Sequence, residues 1–438
     1  MNTTSAVPHL TTALVGPLQH IESLFLSRQT EIEAWFRAQW LESPAPIYCS
    51  VDLRNAGYKV APVDTNLFPA GFNNLNPAFL PLCIQAVQSA FERICPNANR
   101  ILIVPENHTR NLFYFESLAT LQEIITKAGF ETRIGSLRED ILESETTQLP
   151  SGRELTLHPM TRVGNKVSAG DFVPCMIILN NDLTAGRPSL LEGLEQPVHP
   201  PPSLGWSNRL KSHHFTKYQE VAREFSRFVD LDSWLIDPLF RNCGEINFMT
   251  REGEDCLTRH ANTLFEALRL KYAEYGISRD PFIVVKADSG TYGMGVMTVS
   301  STEELLQLNR KQRTRMAKTK EGQNVSRVIL QEGVYTEEKW GEAGAVSEPV
   351  VYMIDHFVVG GFYRVHAGRG INENLNAPGM HFQPLMFAEP CNVPDSDQSP
   401  DAEPNRFYTY GVIGRLALLA AARELMEHPQ TTCSEEQT

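Results

Sequence analysis

Apolar residues at Leu18, Ile21, Leu24, Phe25, Ile32 and Phe36 repeat with the spacing of a helix that buries one stripe, and Ser43-Pro44 stops the run. The pattern then changes. Short apolar blocks alternate with helical stretches: IYCSVDL predicts a strand, residues 77–94 a helix, and ILIV at 101–104 a buried strand. Residues 111–128 predict a helix, ETRIGSL a strand after Gly129, and CMIILN at 175–180 one more strand. Strand and helix in turn predict an α/β fold in which crossover helices cover a parallel sheet.

The proline-rich stretch QPVHPPPSLGW, residues 196–206, reads as a linker. Beyond it the pattern predicts helices over 211–228 and 255–275, strands over 282–286 and 296–300, a basic helix from Thr302 and a strand over 328–332. A long strand pair, VVYMIDHFVVGGFYRVH, follows, with a tight turn at Gly360-Gly361, and the alanine- and leucine-rich helix FYTYGVIGRLALLAAARELME comes last. This divides the chain into an α/β domain over 46–203, a helical linking segment over 204–278 and a second domain over 279–438 with antiparallel strands. No internal repeat is visible.

At 438 residues the chain exceeds what one core usually holds, and 42% hydrophobic with 21% charged residues is an ordinary globular balance. A net charge of −13 argues against a nucleic-acid partner, since a phosphate backbone attracts a basic face. The basic run NRKQRTRMAKTK, residues 309–320, reads mainly as the solvated face of a helix, a phosphate-facing segment being the minor alternative. Eight cysteines without a CxxC pair suit reduced thiols, placed in packing or at the surface, rather than a disulfide frame or a zinc site. With no basic leader before an apolar block and no run long enough to span a bilayer, the expected place is the cytoplasm, without a membrane partner.

Open parallel sheets bind ligands beyond the carboxyl ends of their strands. Three polar clusters stand where such a crevice would be. VDLRNAGYKVAPVDTNLFPAGFNNL supplies Arg54, Lys59, Asp64, Asn66, Asn73 and Asn74. The second cluster holds His108 and Arg110, and the third Asn181 and Asp182. An amino-acid substrate needs a cation for its carboxylate and an anion for its ammonium, and this mixture offers both. Taken singly, each is also an ordinary loop residue.

VVKADSGTYGMGVMTV, residues 284–299, ends an apolar strand on Lys286 and continues into a loop with Ser289, Gly290, Thr291, Tyr292, Gly293 and Gly295. The lysine precedes the glycines and no GK[ST] follows, so this is not a Walker A loop. It predicts two antiparallel strands joined by a flexible tip, either an ordinary hairpin or a flap over a triphosphate with Lys286 reaching in. Downstream, Glu332 ends a strand where adenine or ribose could be met, and Asp355, Arg364, Glu373, Asn374 and Asn376 follow. Lys211 opens a helix as a second phosphate contact or a solvated lysine.

This order of lysine, glycine loop, strand-end glutamate and carboxylate–arginine–asparagine cluster resembles the ATP-grasp superfamily. With VPENHTRN, NNDLTAGRP, LQEGV and NENLNAPGM added, residues 51–380 more closely resemble the ATP-grasp-type glutamate–cysteine ligase family of proteobacteria. The resemblance implies an α+β ATP-grasp fold: a parallel-sheet pre-ATP-grasp domain, then an ATP-grasp domain with antiparallel sheets and a glycine-rich flap. It implies ATP and Mg²⁺, the substrates L-glutamate and L-cysteine, and an acyl phosphate on the γ-carboxylate. Lys286 and Arg364 would be catalytic, Lys286 on the α and β phosphates and Arg364 at the reacting centre. Glu373 with Asn374 or Asn376 would hold the metal, with Asp355 a third candidate; position 375, where many members carry asparagine, is leucine here. The alternatives are a ligase for another acidic amino acid or amine, and a small-molecule kinase. The oligomeric state is not legible.

Overall fold

The computed structural model describes residues 10–11, 17–107, 111–290, 295–317, 325–384 and 406–428. Among these, three sheets organise the chain. In the first, Arg100–Pro105 pairs in parallel with Glu131–Ser136 and Met176–Asn180. Glu154–Val163 and the short strand Val198–His199 continue it in parallel on the two sides. Side chains alternate across it as a strand requires: Ile101 and Ile103 join the core under helices Leu80–Ile94 and Leu112–Lys127, while Leu102 and Val104 join the core on the other face. Both faces are covered, which is why these strands read as unbroken apolar runs.

The strand read from IYCSVDL belongs elsewhere. Tyr48–Asn55 pairs antiparallel with Val60–Asn66 on one side and with Ala345–Ile354 on the other, in a second sheet that also holds Phe357–His366. The chain turns back at once instead of entering a crossover helix, because Gly57 takes a left-handed conformation (φ 79°) and the Ala56 amide donates to the Lys59 carbonyl at 2.9 Å. The long polar segment thus contains a strand. The turn of the later strand pair is likewise Asp355-His356, with Asp355 at φ 51°, and not Gly360-Gly361. Gly360 lies within its strand, beside the register shift between Tyr352 and Met353.

The third sheet is antiparallel throughout, in the order Phe240–Glu245, Arg327–Glu332, Ile283–Ala287, Val296–Val299. Helix Glu254–Glu274 packs on it and shares its core through Leu257, Leu264 and Leu268. The expected first helix is two, Leu18–Ser27 and Gln29–Glu42, broken at Arg28. The proline-rich stretch is packed rather than extended: Gln196 and His199 are buried, and Gln196 bonds the backbone of Val167 and Pro174. Cys95 is disulfide-bonded, a departure from the expectation of reduced thiols throughout.

Helix Arg406–Met426 lies between the second sheet and helix Lys211–Val229. Leu416, Leu418, Leu419 and the alanines around them are wholly buried, as a helix apolar on every side must be. Each such leucine contributes on the order of 1.5–3 kcal/mol. Among the described residues no helix is long and apolar enough to cross a membrane.

Candidate active site

A cavity opens where the second and third sheets face each other, closed on one side by the loop after His366. Tyr48–Asn55 sends in Asp52 and Arg54, two apart and therefore on one face; Val60–Asn66 adds Asp64; the long strand pair adds Glu348 and Arg364. From the third sheet come Lys286, Gln331 and Glu332, and from the loop Asn372, Glu373, Asn374 and Asn376.

Lys286 is placed by its strand. Its Nζ donates to Gln331 Oε1 at 2.6 Å on the neighbouring strand and to the Val63 carbonyl at 2.7 Å. Burial pushes the ammonium down from 10.5 to about 8; Asp64 opposes that, and the charges of Lys211 and Arg54 reinforce it. Lys211 Nζ meets Asp64 Oδ1 at 2.9 Å and sits 3.8 Å over the Trp206 ring. Burial would raise the Asp64 carboxyl, but Lys211 and Lys286 outweigh it and hold it at about 2. The residue after the lysine strand, Asp288, caps helix Lys211–Val229: its carboxylate accepts from the amide and hydroxyl of Ser212, both at 2.7 Å. The start of the glycine loop is thereby tied to the helix that carries Lys211. Gly290 (φ 93°) lines the cavity and Gly295 (φ 64°) begins the return, with Lys286 and Val296 opposite each other. Thr291, Tyr292 and Gly293 lie outside the described residues, and Ser289 is half-buried just before them.

Arg364 stands directly across from Glu348 in the strand register and donates to Glu348 Oε1 at 2.5 Å and Asp52 Oδ2 at 2.8 Å. Arg54 binds the other oxygen, Glu348 Oε2, at 3.0 Å, and reaches the Val334 and Glu373 carbonyls. One carboxylate therefore orients two guanidinium groups. Burial would raise Glu348, yet the two arginines hold it below its usual range, whereas Asp52 is left raised by burial in spite of Arg364. Asp52, Glu348 and Gln331 were not singled out from the sequence; the two-residue alternation of Asp52 with Arg54 was the available signal.

Lys59 and Glu332 meet away from solvent. Lys59 Nζ is 2.7 Å from Glu332 Oε2 and stacks 4.3 Å over Trp234, and the same oxygen accepts from Trp234 Nε1 and the Leu239 amide. Burial drives both groups toward their neutral forms, against their mutual attraction. Lys59 is not among the cavity-lining residues; Glu332 is, and its Oε1 is buried without a partner among the described residues.

The remaining crevice residues do not line this cavity. Asn66 caps the Phe68 amide, Asn73 and Asn74 form a 3₁₀ turn, and Asn181 and Asp182 cap the amides of Leu183 and Thr184. They adjoin the parallel sheet's carboxyl ends, where Asn180 Nδ2 reaches the Pro69 carbonyl and Asn181 Nδ2 the Pro105 carbonyl. His108 and Arg110 lie outside the described residues. Asp355 does not reach the cavity either: as a turn residue it pairs with Arg93 at 2.8 Å. Glu373, Asn374 and Asn376 do reach it.

Residues 22–425 match the family profile described as glutamate–cysteine ligase. The chain belongs to the glutamate–cysteine ligase family. A crystal structure assigned as a gamma-glutamylcysteine synthetase, from Methylobacillus flagellatus KT, shares 56% identity over 96% of this chain and 99% of that one, with a TM-score of 0.89. The glutathione synthetase-like effector GSS30 from Globodera pallida shares 9% over 82% of each chain, with a TM-score of 0.36. Comparison with curated proteins gives no match.

Glutamate–cysteine ligases join two small molecules in glutathione biosynthesis and use ATP and a divalent metal, and the ligase described here is an enzyme of that kind. Its cavity has unsatisfied groups for such ligands. Gln331 Nε2, Glu332 Oε1 and Arg364 Nε are buried there and make no hydrogen bond among the described residues. The unpaired amide donor of Gln331 suits an acceptor on a ligand, and the unpaired guanidinium nitrogen suits an anion.

Proposed function

We propose that the ligase joins the γ-carboxylate of L-glutamate to the amine of L-cysteine through an acyl phosphate, on an ATP-grasp arrangement in which the cavity between the second and third sheets holds ATP. The observation that carries this reading is the convergence of Lys286, Lys211, Arg54 and Arg364 on one cavity that also holds oxygen ligands. Phosphoryl transfer asks for positioned positive charge more than for covalent help.

Lys286 neutralises the α and β phosphates, with Lys211 beside it, while Gln331 and Glu332 face the base or ribose. Backbone amides of the glycine loop, from Ser289 through Gly295, close over the phosphates as a flap. Mg²⁺ would neutralise phosphate oxygens, held by Glu373 with Asn374 or Asn376, since that ion takes few protein oxygens and keeps its waters. Asp355 drops out of this set because it is committed to Arg93.

A glutamate γ-oxygen attacks the terminal phosphorus and ADP leaves. The cysteine nitrogen then attacks the acyl carbon and phosphate leaves, with Arg364 steadying the negative charge of the tetrahedral adduct. Asp52, beside Arg364 and raised by burial, is placed to take the amine proton. Arg54 and Asp64 face the substrates from the same cavity. The amino-acid substrates are also assigned to Asn66, Asn73, Asn74, Asn181 and Asp182, which adjoin the ends of the parallel strands, and to His108 and Arg110. The chain works in the cytoplasm, where both amino acids and ATP are supplied.

The test is ADP release with glutamate, ATP and Mg²⁺, with hydroxylamine as trap and then with cysteine. A glutamyl hydroxamate and a cysteine-dependent dipeptide support the reading. AMP instead of ADP, or ADP with neither product, overturns it.

A further inference from the structure

A second group of reactive side chains lies outside the cavity, between the outer strand of the third sheet and its covering helix. Cys243 is the buried position of strand Phe240–Glu245, between exposed neighbours. Cys256 and His260 stand four positions apart in the first turns of helix Glu254–Glu274, one above the other on the same face. One ligand atom from each of the three lies within 4.8 Å of the other two. Both thiols are free, and Nδ1 of His260 is shut off from solvent with no hydrogen-bond partner among the described residues. A buried imidazole nitrogen left unpaired needs an explanation. Packing alone gives none.

Two sulfurs and an imidazole nitrogen form a ligand set that selects a soft, closed-shell cation of tetrahedral habit and leaves a fourth position for water. We infer that Cys243, Cys256 and His260 bind zinc(II), clamping the first turns of helix Glu254–Glu274 to the outer strand of the sheet that carries Lys286. Binding releases the two thiol protons and forms two zinc–sulfur bonds and one zinc–nitrogen bond. The nearest strand partner, Arg327–Glu332, carries Gln331 and Glu332, so the clamp braces the sheet behind the cavity without touching it.

The test uses the reduced full-length chain. Zinc chloride is titrated against a chromophoric chelator, and cobalt(II) serves as the spectroscopic probe. One equivalent of zinc should bind, and the cobalt form should show sulfur-to-metal charge transfer with tetrahedral ligand-field bands. Cys256→Ser and His260→Gln, both at half-buried helix positions, should each weaken zinc binding by at least about tenfold, since outer-sphere changes alone cost that much. Their metal-free circular dichroism should match that of the wild type. Unchanged affinity in both variants, an octahedral cobalt spectrum without charge transfer, or a reduced wild type that takes no zinc overturns the inference. A chain isolated with Cys243 and Cys256 as a disulfide that still takes no zinc after reduction does the same.

Discussion

Lys286 and Gln331 are bonded across neighbouring antiparallel strands, ammonium to amide oxygen at 2.6 Å, while the amide nitrogen of Gln331 has no acceptor among the described residues. The lysine is therefore held in place before any ligand arrives, at the cost of burying its charge. Lys286→Met should lower turnover by about 10²–10³-fold. Its thermal unfolding midpoint should be unchanged or raised, because a buried charge has been removed. A midpoint drop matching the loss of activity would mean the lysine is structural.

The same group sets a pH dependence. In the fold Lys286 titrates near 8, against 10.5 as its ordinary value. Between those values the unfolded chain holds a proton the folded one lacks, so through this group stability rises with pH across that window. Phosphate binding needs the charged form. The KM for ATP of the wild type should therefore climb above pH 8, while Lys286→Arg, charged throughout, should show a flat profile. Steady-state kinetics from about pH 7 to about 9.5 decide it.

Removing Glu348 leaves Arg54 and Arg364 facing each other with their shared carboxylate gone. Glu348→Ala should cost about 3–5 kcal/mol of stability, as for other broken buried pairs, and reduce kcat more than it raises KM. Urea unfolding and initial rates measure the two effects separately.

The buried Lys59–Glu332 pair should behave as a unit. Lys59→Met and Glu332→Gln should each destabilise by about 3–5 kcal/mol, and the double variant by clearly less than their sum. Simple additivity of the urea midpoints would show that the pair is not coupled.

Asp355→Asn should leave the Mg²⁺ concentration for half-maximal activity unchanged, since that carboxylate belongs to a turn and to Arg93. Glu373→Gln should raise it by about tenfold or more. A Mg²⁺ titration at saturating ATP separates the two residues.

The parallel sheet and its helices were legible because strands covered on both faces write unbroken apolar runs, and helix ends carry caps such as Asn111, which bonds the Tyr114 amide. The strand and return around Lys286 were legible for the same local reason. Register was not. Placing the later turn at Gly360-Gly361 would set Arg364 opposite Phe357, whereas the turn at Asp355-His356 sets it opposite Glu348. A short shift in a turn thus hides the carboxylate that organises the site. The pairing of Tyr48–Asn55 with Ala345–Ile354 was hidden too, because nothing local encodes a partner almost three hundred residues away. Strands such as Glu154–Val163, polar on their open face, wrote too weak an alternation to be seen.

Helix Arg406–Met426 carries Glu424 in its last turn, and the two oxygens of that carboxylate each lie 2.9 Å from Arg209, two positions before Lys211; Arg209 in turn donates to the Thr65 carbonyl, beside Asp64. Lys211 can therefore be fastened only after this far later helix has been made. Until then the emerging polypeptide carries a bare apolar gap where that helix belongs, exposed to chaperones and proteases. A chain cut just before Arg406 should be insoluble, not a trimmed enzyme.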